Sequence, residues 1–197
     1  MIITNIEKQK KNKEKYNVYI DGEYAFSCSL EDLSYLGIEE GKEISSKQYN
    51  YYVNYISIRE ATNYTFNLLS RKMLTEKELL IKLKQRGVSE EAAKNVLEKM
   101  KNYNYINDKL YAKLFVEQKM TQLYSRQRIY YELLKKGIDK EIIHETIENL
   151  YPEDKEVEII KKLIDKKLNV LPQKLKKYLY NSGFQIENIN TVLHAED

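Results

Sequence analysis

The chain has one cysteine, two histidines, two prolines, six glycines and no tryptophan among its 197 residues. A lone thiol, Cys28, excludes an intramolecular disulfide, and its place near Phe26 in a short apolar run reads as a small core residue rather than a nucleophile. The histidines, His144 and His194, stand fifty positions apart with no Cys or paired carboxylate at ligand spacing, which argues against a zinc site or a catalytic histidine. No two glycines fall closer than four residues apart, so neither common Gly-rich phosphate loop can be written. Nucleotide hydrolysis and dinucleotide chemistry drop out, and no cofactor or metal is expected. No apolar run approaches the roughly 18 residues a membrane span needs, and the opening MIITNIEKQKKNKEK turns charged by Glu7 without an extended apolar stretch. The expectation is a cytoplasmic, monomeric binding protein without a membrane partner and without enzymatic activity.

Charge, by contrast, is abundant: 33 basic and 30 acidic residues make up 32% of the chain against 42% hydrophobic, with a net charge of +3. The apolar residues recur periodically, the mark of a polar but folded chain. Three of the six glycines share one setting: ELLIKLKQRGVSEEAAKNVL, RIYYELLKKGIDKEIIHETI and KLKKYLYNSGFQIENINTVL. Gly87 and Gly137 are 50 residues apart and Gly183 follows after 46, a period typical of arrays of small helical units. Four residues before each glycine stand Leu83, Leu133 and Leu179; eight before stand Leu79, Ile129 and Leu175; one after stand Val88, Ile138 and Phe184. Each setting reads as helix, glycine stop, helix, with glycine accepting the positive φ of a helix C-terminus.

A further helix precedes each pair. Ser57 with Glu60 and Thr75 with Glu78 spell capping boxes. Asp108 precedes LYAKLFVEQKM, Ser125 can cap the next helix, Pro152 with Glu153 and Asp154 opens one running to about Leu168, and Pro172 fits a first turn. Residues 1–56 differ: Tyr16, Val18, Ile20 and Tyr24, Phe26 flank Asp21-Gly22, a hairpin signal, with a strand around Ile2–Ile6 and a short helix over Leu30–Leu36. The tyrosine-rich segment Tyr49–Ile56 either packs this module against the first repeat or leads into it. The expected fold is mainly α: three tandem three-helix repeats over 57–106, 107–151 and 152–197, stacked as an elongated curved rod, with a small β-hairpin-containing N-terminal module over 1–56.

Residues 1–57 hold 7 basic and 9 acidic residues, whereas 58–106 hold 10 and 6, so the basic excess falls in the first repeat. Clusters occur at Arg71-Lys72, at Lys82, Lys84 and Arg86, at Arg126 and Arg128, at Lys135-Lys136, and at Lys166-Lys167 followed by Lys174, Lys176 and Lys177. They suit a phosphate backbone or an acidic protein groove, although a lysine run on a helix is ordinarily a solvated face. Only 5 of the basic residues are Arg, so the planar, bidentate side chain is scarce, and Arg71, Arg126 and Arg128 flank helix starts. The 18 Tyr accompany many Lys, Asn and Ile, a bias that an AT-rich coding sequence produces, so most read as core or interface residues rather than base-stacking platforms.

The stretches LLSRKMLTEKELLIKLKQRGVSEE, YINDKLYAKLFVEQ and RQRIYYELLKKGIDKEII, in this order, resemble the RecX family of bacterial regulators of the RecA recombinase. The likeness covers roughly residues 57–150, with a degenerate third repeat to 194; the N-terminal module resembles the extension of longer, Gram-positive-type members. It implies a non-enzymatic regulator that binds in the groove of the RecA filament on single-stranded DNA and lowers its ATPase and strand-exchange activity. The family pattern falls on Arg71, Lys72, Glu78, Leu79, Leu83 and Gly87, then on Asp108, Tyr111, Ala112, Phe115, Arg128, Ile129, Leu133, Lys136 and Gly137. With the clusters above, the binding candidates are Arg71, Lys72, Lys82, Arg86, Arg126, Arg128, Lys135 and Lys136. One departure is Leu123-Tyr124-Ser125, where many members carry a glycine. The alternative expectation is a basic helical-repeat protein that binds DNA directly, without RecA.

Overall fold

The computed structural model describes residues 1–166 and 171–193. Lys167, Leu168 and His194, singled out above, lie outside the described residues. Three strands, β1 (Ile3–Lys8), β2 (Lys15–Ile20) and β3 (Glu23–Ser29), are followed by ten helices among the described residues. These are α1 (Leu30–Leu36), α2 (Ser46–Leu69), α3 (Glu76–Gln85), α4 (Glu90–Asn102), α5 (Asp108–Thr121), α6 (Arg126–Lys135), α7 (Lys140–Leu150), α8 (Glu153–Asp165), α9 (Pro172–Asn181) and α10 (Ile186–Leu193). The fold is thus mainly α, with nine helices in three consecutive triads after a small antiparallel sheet. Two compact units result: Met1–Leu68 with Leu83–Val96, and Leu69–Lys82 with the chain from Leu97 onward. No helix among the described residues is long and apolar enough to cross a membrane.

In the first unit the sheet order is β1-β2-β3, with β2 and β3 joined by the expected two-residue turn. Asp21 and Gly22 both take positive φ, 50° and 87°, which matches the twist of a two-residue hairpin. Alternate residues point inward: Val18, Ile20, Phe26 and Cys28 pack with Ile3 of β1, Leu33 and Leu36 of α1, and Tyr52 and Ile56 of α2. Burial pushes the Cys28 thiol up to about 12, so it stays protonated in this core, as a packing residue does. The free side of β1 is covered by the segment after α1, through Ile3 N–H to the Lys42 carbonyl and Gly41 N–H to the Ile3 carbonyl.

Helix α2 corrects one expectation. Ser57 does not cap a helix; it lies inside one that begins eleven residues earlier, where Ser45 and Gln48 form the capping box. The upstream turns are held because Tyr52 and Ile56 are buried against the sheet. Asn107 caps α5, which begins at Asp108, and accepts from Leu110 N–H at 2.9 Å. On α2, Arg59 reaches back to Glu31 and to the buried Asp32. Burial alone would raise the Asp32 carboxyl, but hydrogen bonds from the Ser29 amide and hydroxyl and from Arg59 outweigh it and hold it below 3.8.

The second unit is organised by its glycine corners. At Gly137 and Gly183 φ is +86° and +85°, and the next residue's N–H returns to the carbonyl four before the glycine, Leu133 or Leu179. Each corner seats the N-terminus of a helix from the preceding triad. Thr75 Oγ1 donates to the Lys136 carbonyl at 2.7 Å, and Ser125 Oγ donates to the Ser182 carbonyl at 2.7 Å. The same hydroxyls accept from the Glu78 and Arg128 amides as helix caps. A carboxylate completes each joint: Glu76 N–H donates to Asp108 at 3.0 Å, and Arg126 N–H to Glu156 at 3.1 Å. Glu156 is fully buried and its other oxygen accepts from Asn188. A Cβ at Gly137 would stand 2.3 Å from Lys77 Cδ and 2.5 Å from its Cβ. Behind the joints Ile129, Leu133, Ile143, Ile160, Leu179 and Ile189 form one core with the ring of Tyr151.

Two expectations follow. Gly87→Ala, whose Cβ would meet nothing within 4 Å, costs only the left-handed backbone term of roughly 1–2 kcal/mol. Gly137→Ala adds a clash of at least about 1 kcal/mol; equal losses in urea unfolding would contradict the joint. In acid, the lowered folded-state pKa of Asp32 means its contribution is whole above the ordinary value of 3.8 and is lost as pH falls through the folded-state value. Asp32→Asn should flatten that part of the stability–pH profile, and an unaltered slope would exclude the Asp32 carboxylate as its source.

Candidate partner-binding surface

Two side-chain stripes meet on the second unit. Along α5, Tyr111, Phe115 and Lys119 recur at four-residue spacing, which places them on one helix face. Tyr124, Arg128, Glu132 and Lys136 do the same from the approach to α6 to its C-terminal end. Because α5 and α6 are antiparallel neighbours, the stripes interleave. Tyr124 meets two cations, with the Arg128 guanidinium 3.7 Å and the Lys119 ammonium 4.5 Å from its ring centroid. Lys119 is also 5.3 Å from Phe115, and Lys136 lies 5.4 Å from Tyr111 and 5.9 Å from Phe115. The Tyr111 and Phe115 rings stack at 6.1 Å.

Carboxylates tie the strip together. Glu132 accepts from Arg128 at 3.3 Å and pairs with Lys119 at 3.6 Å, while Glu78 of α3 pairs with Lys136 at 2.9 Å. Burial alone would lower the Lys136 ammonium, but hydrogen bonds with Tyr111 and Glu78 reverse this and raise it. Such cation–ring contacts contribute about 0.5–1 kcal/mol each at an exposed site, enough to hold each cation in one orientation. Arg128 keeps half of its side chain open to solvent, against 16% for Lys119. It is the cation of this strip best placed to meet a partner.

The loop before α6 sets this geometry. Leu123 takes φ +61°, the left-handed region that glycine enters without penalty. Leu123 thus has a glycine-like backbone, and Tyr124 follows from it directly.

The sequence-derived candidates do not form one cluster. Arg128 and Lys136 belong to the strip. Arg126 points away from it: its guanidinium reaches Glu148 and Glu153, and only 11% of its side chain is exposed. Lys135 is exposed at the end of α6, and its carbonyl accepts from Lys77. Arg71 and Lys72 sit in the exposed turn between α2 and α3, and Lys82 is half-exposed on α3. Arg86, in the other unit, lies over Tyr64 at 4.4 Å. Sequence reasoning passed over Lys119, Tyr124 and Glu132, whose signal was the repeated four-residue spacing on two consecutive helices. No group of His, Cys, Asp or Glu among the described residues could hold a metal ion, and His144 is exposed on α7.

Comparison with known proteins follows the same division of the chain. Residues 1–45 match the family profile described as the regulatory protein RecX N-terminal domain, 61–100 that of the first RecX three-helix domain, and 107–147 that of the second. A protein named regulatory protein RecX from Caldanaerobacter subterraneus subsp. tengcongensis is 59% identical over 196 residues, covering 98% of this chain and 99% of its own. One of the same name from Clostridium beijerinckii is 33% identical over 201 residues, 97% and 93% of the two chains. Among solved structures, a crystal structure of regulatory protein RecX superposes with TM-score 0.71 at 27% identity over 98% of both chains. RecX from Lactobacillus salivarius gives 0.64 at 28% identity, over 71% of this chain and 96% of that one.

The two neighbouring arginines should behave differently. Arg126→Ala leaves Glu148 and Glu153 without their cation and removes a mostly buried stem, costing about 1–3 kcal/mol in thermal or urea unfolding. Arg128→Ala removes an exposed pair and a ring contact, about 1 kcal/mol or less. A reversed order would overturn the assignment of Arg126 to the framework.

Proposed function

The chain belongs to the RecX family of regulatory proteins, and from that premise we propose that it binds in the groove of the RecA filament on single-stranded DNA and lowers RecA's ATPase, recombinase and coprotease activity. The observation that carries this reading is the 59% identity to a regulatory protein RecX over nearly the whole of both chains. In this reading the protein has no chemistry of its own; it occupies a groove and competes for it. The strip on α5 and α6 supplies suitable contacts. Arg128 and Tyr124 offer a guanidinium and an aromatic face, and the carboxylates of Glu132 and Glu78 can meet basic groups of a protein. The exposed Arg71, Lys72 and Lys135 and the half-exposed Lys82 add contacts to acidic side chains or phosphates.

Direct binding to DNA is the second reading, favoured by one observation: the Arg128–Tyr124–Lys119 stack has the cation-and-ring composition that single strands engage. The assay is RecA-dependent ATP hydrolysis on single-stranded DNA with this protein at up to equimolar ratio. The rate should fall, and Arg128→Ala with Tyr124→Leu should raise the concentration for half-inhibition several-fold. No slowing at any ratio would reject the filament reading. Direct DNA binding would appear instead as an affinity for free single strands that drops steeply with salt.

A further inference from the structure

Two of the three glycine corners are filled and the third is open. An added Cβ at Gly137 meets Lys77, and one at Gly183 meets Ser125 and Gln127, but at Gly87 nothing lies within 4 Å. The open corner nevertheless has every part that the filled ones use. Its backbone is the same, with φ +80° at Gly87 and the Val88 N–H returning to the Leu83 carbonyl at 3.1 Å. The carbonyl that would receive a cap hydroxyl is that of Arg86, equivalent to Lys136 and Ser182. The carboxylate is present too. Glu60 of α2 stands 27 residues before Gly87, as Glu156, which accepts the Arg126 amide, stands 27 before Gly183.

These groups share one cleft of about 390 Å³ in the first unit, lined by Lys15, Ser27, Ser57, Glu60, Gly87 and Val88 among others. Glu60 is held there by Lys15, with 44% and 33% of the two side chains exposed. So exposed a pair is worth little, and the positive end of a helix can take the place of the ammonium. The hydroxyls that fill the other corners are already committed. At the corresponding position of the third triad stands Leu171, which has no hydroxyl, and Pro172 after it has no N–H. A foreign helix is the occupant the chemistry describes.

We propose that the cleft beside Gly87 is a docking socket for the N-terminus of a helix on a partner protein. That helix begins with Ser or Thr; its cap hydroxyl donates to the Arg86 carbonyl while the amide that follows donates to Glu60. The interaction copies, between molecules, the seat of α3 on Gly137 and of α6 on Gly183. It goes beyond the filament reading, and its test uses neither recombinase nor DNA.

The probe is a side-chain-stapled peptide with the sequence of Leu74–Gln85, the chain's own capped helix, titrated into the ¹⁵N-labelled full-length protein. The staple matters because a free helix of this length is marginal in water. The amides of Glu60, Gly87 and Val88 should shift saturably. The same peptide carrying Thr75→Ala, and the protein variant Glu60→Gln, should each bind several-fold more weakly; the altered peptide leaves the protein untouched, so a folding defect cannot imitate the result. Equal affinity of the Thr75→Ala peptide, shifts at Gly137 or Gly183 instead, or no saturation at Gly87 up to millimolar peptide would each overturn the proposal. So would a concentration-dependent shift of Gly87 in the protein alone, which would assign the socket to a second copy.

Discussion

The second unit depends on one small contact: a buried hydroxyl, Thr75 or Ser125, that caps its own helix and at the same time donates to the last carbonyl before the glycine of the next triad. A hydroxyl has one proton to give and two lone pairs, so a single side chain meets an orphan amide and an orphan carbonyl together. The arrangement explains why both positions carry Ser or Thr rather than Asp or Asn. A carboxylate would cap equally well but has no proton to donate to the carbonyl. It also explains why the corners carry glycine. A left-handed C-terminus tolerates Asn, but a helix seated directly on it leaves no room for a Cβ at Gly137.

The carboxylates Asp108 and Glu156 belong to the same logic. Each faces the first amide of an incoming helix, where the helix dipole concentrates positive potential. Burial raises the Asp108 carboxyl even though the Glu76 amide bond opposes the shift. The joint thus has a tension of its own: the carboxylate is useful to the helix end only while ionised, and the packing that excludes water works against that ionisation. In the second joint Glu156 accepts from a second donor, Asn188.

Much of this was readable from sequence because it is local. The Asp21-Gly22 turn, the Leu30–Leu36 helix and the Thr75–Glu78 box each depend on residues within a few positions, and each appears where expected. Ser57 with Glu60 failed for an instructive reason. The same Ser-x-x-Glu pattern occurs inside α2, because Tyr52 and Ile56 find a sheet to bury against and carry the helix upstream. A capping pattern states what a helix start would look like, not that one occurs there. Glu60, freed from the cap, turned out to matter through Lys15 and the Gly87 corner, both distant in sequence. The strip on α5 and α6 was half legible. The spacing that aligns Tyr111, Phe115 and Lys119 is in the sequence, but the meeting of Lys119 with Tyr124 depends on Leu123 adopting φ +61°, which no propensity predicts for leucine.

The weak net charge of +3 acquires meaning at the same strip. A surface built for nucleic acid alone gains affinity from every uncompensated cation. Here Lys119 and Arg128 share Glu132, and Lys136 is matched by Glu78, so the cations are oriented by rings and partly neutralised by carboxylates. Such a surface gives up long-range attraction to phosphate in exchange for fixed donor directions. It discriminates among partners by where their acidic and basic groups lie. A balance of charge, rather than an excess of it, suits the protein–DNA partner proposed above better than bare DNA.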